Sequence, residues 1–282
     1  MKKGIRTISP IVSTDWLGDR TSDPKLVIID IRNNEEYRGG HITGAINIPF
    51  PCWMITRNGL ILELPDEVEL FNIIGSAGIK TDSLVIIVNK ADNSYPLADA
   101  NRVADTLLYA GVNNVSILDG GHDKWVKEGR LLSNEIVQPK AVEYRGNVDK
   151  AMFVSQDYVN NKIGKSIILD TRDPNVYFGV TVEPHAERAG HIPGARCLPA
   201  PWVWTAEGTY HDIDELRKMA SGVVGKQVSR EIIVYCGVGG YTSTWWFVLT
   251  QLLGYKNVKF YDGSAQEWTR DHQTPMVMYK WE

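Results

Sequence analysis

The sequence predicts an α/β protein made of two tandem copies of one unit, each a mostly parallel, doubly wound sheet with helices on both faces. Three observations lead there. Four sequence blocks recur in the same order in the two halves. Short apolar, β-branched runs alternate with helical stretches, as in Leu84–Val88, Leu97–Tyr109 and Val115–Leu118. Each half also carries a strand that ends on Asp-x-Arg, at Asp30/Arg32 and at Asp170/Arg172.

The recurring blocks set the elements in order. Ile11-Val12-Ser13-Thr14-Asp15-Trp16-Leu17 returns as Phe153-Val154-Ser155-Gln156-Asp157-Tyr158-Val159, a short strand followed by a serine-capped helix. Leu26–Arg32 returns as Ser166–Arg172, and Gly40-His41-Ile42-Thr43-Gly44-Ala45 as Gly190-His191-Ile192-Pro193-Gly194-Ala195. The closing Leu118-Asp119-Gly120-Gly121-His122-Asp123-Lys124-Trp125 matches Tyr261-Asp262-Gly263-Ser264-Ala265-Gln266-Glu267-Trp268. The expected division is a first domain over 1–133, a linker over 134–150 and a second domain over 151–282. The linker is polar, bears Pro139 and Gly146, and is expected to run extended over the surface. The second half alone holds an insertion, Phe178 to Ala189, which is a candidate substrate loop.

With 282 residues, 43% of them apolar and 23% charged, the chain suits two globular domains. A net charge of −4 argues against nucleic acid or an anionic membrane surface as the partner. No apolar run approaches the ~20 residues that span a bilayer. The start, Met1-Lys2-Lys3-Gly4-Ile5-Arg6, lacks the apolar core of a signal peptide, so the expected location is cytoplasmic, or periplasmic if a leader was removed. Three cysteines, Cys52, Cys197 and Cys236, form neither a disulfide framework nor a metal-ligand spacing, and no metal site is expected.

The chemistry concentrates at Glu231–Ser243. Ile232–Tyr235 reads as a buried parallel strand and ends on Cys236. The loop Gly237-Val238-Gly239-Gly240-Tyr241 follows, with Thr242 or Ser243 as the expected N-cap of an apolar helix running to Gly254. A cysteine at a strand's carboxyl end, facing a helix N-terminus, occupies the ligand position of open α/β sheets. Glycines allow consecutive N–H groups to curl inward as an anion nest, and the helix dipole adds positive potential. Both favour a thiolate at Cys236. A buried structural cysteine before a flexible turn is the other reading. In the first half the strand Val85–Val88 leads to Asn89, and the next residues, Lys90 to Pro96, contain no glycine. The nucleophile is therefore expected in the second half alone.

Together these marks resemble the tandem-domain rhodanese-like sulfurtransferases of the thiosulfate and 3-mercaptopyruvate type. They are the paired Asp-x-Arg strands, the Gly-His-Ile-x-Gly-Ala blocks, the Asp-Gly…Trp closings and a cysteine loop only in the second half. The resemblance implies two tandem rhodanese-like domains, the first catalytically inactive. It implies that Cys236 takes a sulfane sulfur from an anionic donor as a persulfide held by the loop from Gly237 to Thr242. Cyanide or a thiol, thioredoxin-like or small, then removes that sulfur, with no cofactor. The loop reads Cys-Gly-x-Gly, the pattern of the mercaptopyruvate type, where thiosulfate-type loops carry basic residues. Tyr241 stands where Thr or Arg is usual, and Val176 where an arginine is expected.

Each remaining residue has a plainer reading beside its functional one. Asp170 with Arg172, and His191, recur in the half without a cysteine, which favours structural roles, although Arg172 is also a donor-binding candidate. His185 and Arg188 lie in the insertion and are candidates for holding a donor anion; a solvated loop is the bland alternative. Trp204, with Trp202, follows Pro199 and Pro201 at a strand end and is a candidate site wall, while Trp245 and Trp246 are expected in the core. Two rival functions fit the cysteine. A phosphatase wants Cys-x5-Arg, but the sixth residue after Cys236 is Thr242. A non-catalytic sulfur-binding or regulatory module is the other.

Overall fold

The two repeats build the same sheet twice. In the computed structural model, which describes residues 6–281, the chain divides into two units. The first takes the residues up to Ile55, Leu64–Asp149 and Thr205–Tyr210; the second takes Thr56–Glu63, Lys150–Trp204 and His211 onward.

The first half runs β1 (Ile11–Val12), α1 (Thr14–Gly18), β2 (Leu26–Asp30), α2 (Asn34–Gly39), β3 (His41–Ile42) and β4 (Ile46–Asn47). A hairpin follows, β5 (Ile55–Arg57) and β6 (Leu60–Glu63), and then α3 (Glu67–Ser76). The chain goes on through β7 (Leu84–Val88), α4 (Ser94–Tyr109), β8 (Val115–Leu118), α5 (Gly121–Lys127) and β9 (Leu132–Ser133). The sheet has the order β1-β8-β7-β2-β4, and every pairing is parallel. Its inner strand β7 is Leu-Val-Ile-Ile-Val, with four of the five residues buried, as a strand covered on both faces requires.

The second half runs β10 (Phe153–Val154), α6 (Gln156–Lys162), β11 (Ile167–Asp170), α7 (Pro174–Tyr177), β12 (Ala195–Cys197) and α8 (Ile213–Val224). It ends with β13 (Ile232–Tyr235), α9 (Gly240–Phe247), β14 (Val258–Tyr261) and α10 (Ser264–Arg270). The order, β10-β14-β13-β11-β12, repeats the first sheet, again with parallel pairings only. In each sheet the chain leaves the two middle strands in opposite directions, so a crevice opens at their carboxyl ends. That point lies between β2 and β7 in one unit and between β11 and β13 in the other.

Local chemistry recurs with the sheets. Ser13 and Ser155 cap α1 and α6, accepting the N–H of Trp16 at 3.1 Å and of Tyr158 at 3.3 Å. Arg32 clamps Asp30 and donates to Gly40 O at 3.0 Å; Arg172 clamps Asp170 and donates to Gly190 O at 2.8 Å. His41 stacks on Tyr37 and His191 on Tyr177, each with ring centroids 3.8 Å apart and Nδ1 at 2.8 Å from that tyrosine's carbonyl. These pairs pin each strand end to the turn that follows it. Trp245 and Trp246 are buried, each N–H spent on a backbone carbonyl, Pro199 O and Val258 O.

Residues 134–149 carry no helix or strand and are strapped onto the first unit. Val142 N donates to Gly75 O and Asp149 N to Tyr109 O, while Tyr144 is buried against Phe71. Gly75 and Gly146 permit the approach: a Cβ at either would lie within 2.4 Å of a backbone oxygen. Residues 56–63 make the opposite departure, since they come from the first half of the chain and belong to the second unit. Gln266 holds them with both ends of its amide, Nε2 to Ile61 O at 2.9 Å and Ile61 N to Oε1 at 3.0 Å.

Candidate active site

The strand β13 ends at Tyr235, paired with Asp170, so Cys236 begins the loop at the sheet's carboxyl edge. Backbone hydrogen bonds from the neighbouring β14–α10 corner fix it there. Ala265 N donates to Cys236 O and Gln266 N to Gly237 O, both at 2.9 Å. Cys236 N donates to Ser264 Oγ at 3.3 Å. Ser264 has φ 51, which places a side-chain-bearing residue in the left-handed region. The repeat has Gly121 there, at φ 54. The second unit keeps a strained backbone position with a hydroxyl on it, and that hydroxyl also donates to Tyr261 O at 2.9 Å and lies 3.4 Å from Thr242 Oγ1.

The loop closes around sulfur. Gly239 N donates to Cys236 Sγ at 3.1 Å, and the N–H groups of Val238 and Thr242, with the Thr242 hydroxyl, are its further partners. The expected helix start is corrected here. The N-cap is Gly239, at φ 91, not Thr242 or Ser243, so the helix begins with Gly240 and Tyr241. A left-handed glycine ends the loop early and brings Thr242 into the first turn, with its N–H and hydroxyl toward the sulfur. The helix is also not continuous to Gly254: Val248–Leu252 form a π turn, in which Thr250 Oγ1 donates to Trp246 O at 2.8 Å.

Electrostatics depart from the expected thiolate. Cys236 is 2% exposed, and its burial pushes the thiol's pKa up. The Thr242 hydroxyl and the N–H groups of Thr242 and Val238 pull it down, and the Glu183 carboxylate pushes it up again. Burial and Glu183 thus act against the thiolate that the loop's N–H groups and the Thr242 hydroxyl favour. The nest and the dipole were legible in the sequence, and a buried cysteine was its other reading, whereas the place of Glu183 was not legible.

Glu183 is the insertion's contribution. Its carboxylate packs on the loop so closely that a Cβ on Gly237 would lie 2.3 Å from Oε2. Its Oε1 is 3.3 Å from Arg172 Nη1. A side chain on Gly237 would have to displace this carboxylate. The candidates from the same insertion fare differently. His185 is exposed, and its charge acts on Glu183. Arg188 is not available to an anion: its guanidinium donates to the carbonyls of Trp268, Thr269, Asp271 and Thr274 and to Thr274 Oγ1. It ties the insertion to the last turn of α10 and the chain after it. Arg172, 3% exposed, is consumed by Asp170, Gly190 O and Glu183, which is the structural reading. Trp204 is buried beyond the turn Ala200–Val203, while Trp202 is half exposed.

Two further residues were missed. Ser264 was detectable, because it replaces the repeat's second glycine in Asp-Gly-Gly. Leu62 was not: it sits at φ 57 in β6, and its Cδ1 is 3.9 Å from where a Gly240 Cβ would stand. It reaches the loop only because residues 56–63 pack on the second unit. Cys197 lies at the end of β12, with burial raising its thiol to about 12, and Cys52 is exposed. Among the described residues no group of His, Cys, Asp and Glu converges as a metal site requires, and no helix is long and apolar enough to cross a membrane.

Comparison with known proteins agrees with this architecture. The rhodanese-like domain signature matches twice, over residues 13–128 and 155–271. The sulfur carrier protein TtuD of Thermus thermophilus is 33% identical over 273 residues, 92% of this chain and 93% of its own. A Mycolicibacterium smegmatis protein, provisionally named a thiosulfate sulfurtransferase, is 32% identical, covering 92% of this chain and 94% of its own. Among solved structures, the anaerobic ergothioneine biosynthesis enzyme from Chlorobium limicola superposes with a TM-score of 0.81 over 95% of this chain and 70% of that one; at 22% identity the likeness is one of fold. With two matched sheets, twin Asp–Arg and Tyr–His pairs and both halves bearing the signature, the chain belongs to the rhodanese-like family as a tandem-domain member.

Proposed function

We propose that the chain is a sulfurtransferase that carries a sulfane sulfur as a persulfide on Cys236. The observation that supports this most directly is the Sγ of Cys236, held by Gly239 N at 3.1 Å at the carboxyl end of β13, with Asn89 in the matching place of the first unit. With thiosulfate, the Cys236 thiol first gives its proton to solvent. The thiolate then attacks the outer sulfur, a Cys–S bond forms, the donor's S–S bond breaks, and sulfite leaves with the electron pair. With 3-mercaptopyruvate the bond that breaks is C–S, and the leaving enolate of pyruvate takes a proton. Cyanide or a thiol then attacks the outer sulfur of the persulfide, and the Cys236 thiolate leaves. The loop N–H groups hold negative charge on sulfur throughout.

Neither arginine considered for donor binding is free to attract a dianion. Arg172 and Arg188 are committed, and Glu183 adds negative charge beside the loop. Thiosulfate is accordingly a weak donor, no better than 3-mercaptopyruvate. TtuD's name, a sulfur carrier protein, supports a close variant in which the sulfur is kept as the persulfide before it is handed on.

A steady-state panel with thiosulfate, 3-mercaptopyruvate and a phosphate ester, using cyanide or dithiothreitol as acceptor, tests the assignment. Sulfur transfer without phosphatase activity is expected. It should be lost in Cys236→Ser and kept in Cys52→Ser and Cys197→Ser. Activity surviving in Cys236→Ser would end this reading.

A further inference from the structure

The two Asp–Arg clamps match atom for atom except at one nitrogen. In each unit the arginine grips its aspartate with Nε and Nη2, and Nη2 also donates to a glycine carbonyl. In the second unit the remaining nitrogen, Arg172 Nη1, meets a carboxylate, Glu183 Oε1, at 3.3 Å. Glu183 comes from the insertion, and the first half of the chain has no such segment, since Tyr37 leads through Arg38 and Gly39 straight to Gly40 and His41. Arg32 Nη1 therefore has no partner among the described residues, although the Arg32 side chain is only 5% exposed.

Arg32 is a wall of a cavity of about 490 Å3 at the crevice between β2 and β7, a volume in the range of small-molecule sites. Every wall residue belongs to the first unit. A buried, charged N–H without an acceptor is costly, and here it fronts a cavity that can admit one. Asn34 lines the same cavity, and its side-chain amide is also without a partner among the described residues. Pro49, Phe50 and Pro51 add apolar wall. Three carboxylates oppose an anion. Glu36 and Asp92 are partly exposed and share the Lys90 ammonium, at 3.3 Å and 2.8 Å, so that ammonium and solvent weaken their field. Asp99 is held up at about 7 by burial and repels an anion once ionised. Such a wall tolerates one negative charge more readily than two.

We propose that this cavity binds a small monocarboxylate, whose carboxylate takes at Arg32 Nη1 the place that Glu183 fills at Arg172 Nη1, with a short apolar tail along Phe50. The insertion thus gives the second unit a built-in carboxylate where the first unit takes one from solution. The site is independent of sulfur transfer at Cys236. It also does not use the interior of the Asn89 loop, where the carbonyls of Lys90 and Pro96 turn inward.

Ligand-observed NMR titration of the whole protein at about pH 8, where Asp99 is ionised, tests this with three probes of one carbon skeleton: butyrate, butyramide and butylammonium. Butyrate should bind at least about tenfold more tightly than butyramide, the equivalent of one good charge-assisted hydrogen bond, and more tightly than butylammonium. Arg32→Lys keeps a cation opposite Asp30 but has no Nη1, and should weaken butyrate about tenfold. Asp99→Asn removes a repelling charge and should tighten butyrate about threefold, a gain that an unfolded variant cannot show. The proposal is overturned if butyrate does not bind, if butyramide or butylammonium binds as tightly, if a folded Arg32→Lys protein holds butyrate as tightly as the native chain, or if Asp99→Asn fails to tighten it.

Discussion

The loops after β7 and β13 occupy the same place in matched sheets, and their interiors have opposite polarity. Both begin one residue past a strand whose last residue pairs with the repeated aspartate, Val88 with Asp30 and Tyr235 with Asp170. Both are anchored by the following corner, where His122 N donates to Asn89 O as Ala265 N donates to Cys236 O. Inside the Cys236 loop, N–H groups converge on sulfur. Inside the Asn89 loop, the carbonyls of Lys90 and Pro96 converge on an amide nitrogen. One loop is built to hold negative charge and the other to accept a donor. The two units thus differ here by more than one side chain.

The largest expected effect concerns what is structural around the Cys236 loop. Arg188→Ala removes a guanidinium that satisfies four carbonyls and a hydroxyl. It should cost about 2–4 kcal/mol of stability in chemical denaturation, with little change in donor KM at a temperature where the variant is folded. A raised KM with unchanged stability would return Arg188 to donor binding and break the division between support and site.

A smaller pair of effects sharpens the account of the sulfur itself. The thiol is pushed up by burial and Glu183 and pulled down by Thr242. The reactive thiolate at Cys236 should therefore be scarce at neutral pH, and alkylation by iodoacetamide should keep rising past the ordinary thiol range near ~8.5. Glu183→Gln should move that profile to lower pH and improve thiosulfate as a donor. Thr242→Val should move it to higher pH and slow alkylation at pH 7 about fivefold, the worth of one hydrogen bond. Profiles that shift together, or not at all, would remove these two side chains from the control of the sulfur.

What the sequence disclosed, and what it withheld, divides along the same line. The tandem sheets, the serine caps, the Asp–Arg ends and the Cys236–Asn89 contrast all rest on spacing within one segment, and spacing survives in a string of letters. Glu183 could not be placed, because its seat on Gly237 depends on how the insertion folds back under Arg188. Leu62 was hidden for a stronger reason: residues 56–63 leave the unit that their position in the chain suggests. Ser264 lay in between. The repeat showed a serine where its twin has a glycine, but only the backbone angle shows why that matters.

The claim that loop polarity, and not merely the presence of a thiol, makes one unit active has a direct test. Asn89→Cys puts a thiol in the first unit's loop, among the carbonyls of Lys90 and Pro96 instead of among N–H groups. Peptide-level mass spectrometry after incubation with thiosulfate reads where sulfur is added. One added sulfur on the Cys236 peptide, with none at position 89, is the expected result. A persulfide at position 89 in amounts like those on Cys236 would contradict the account.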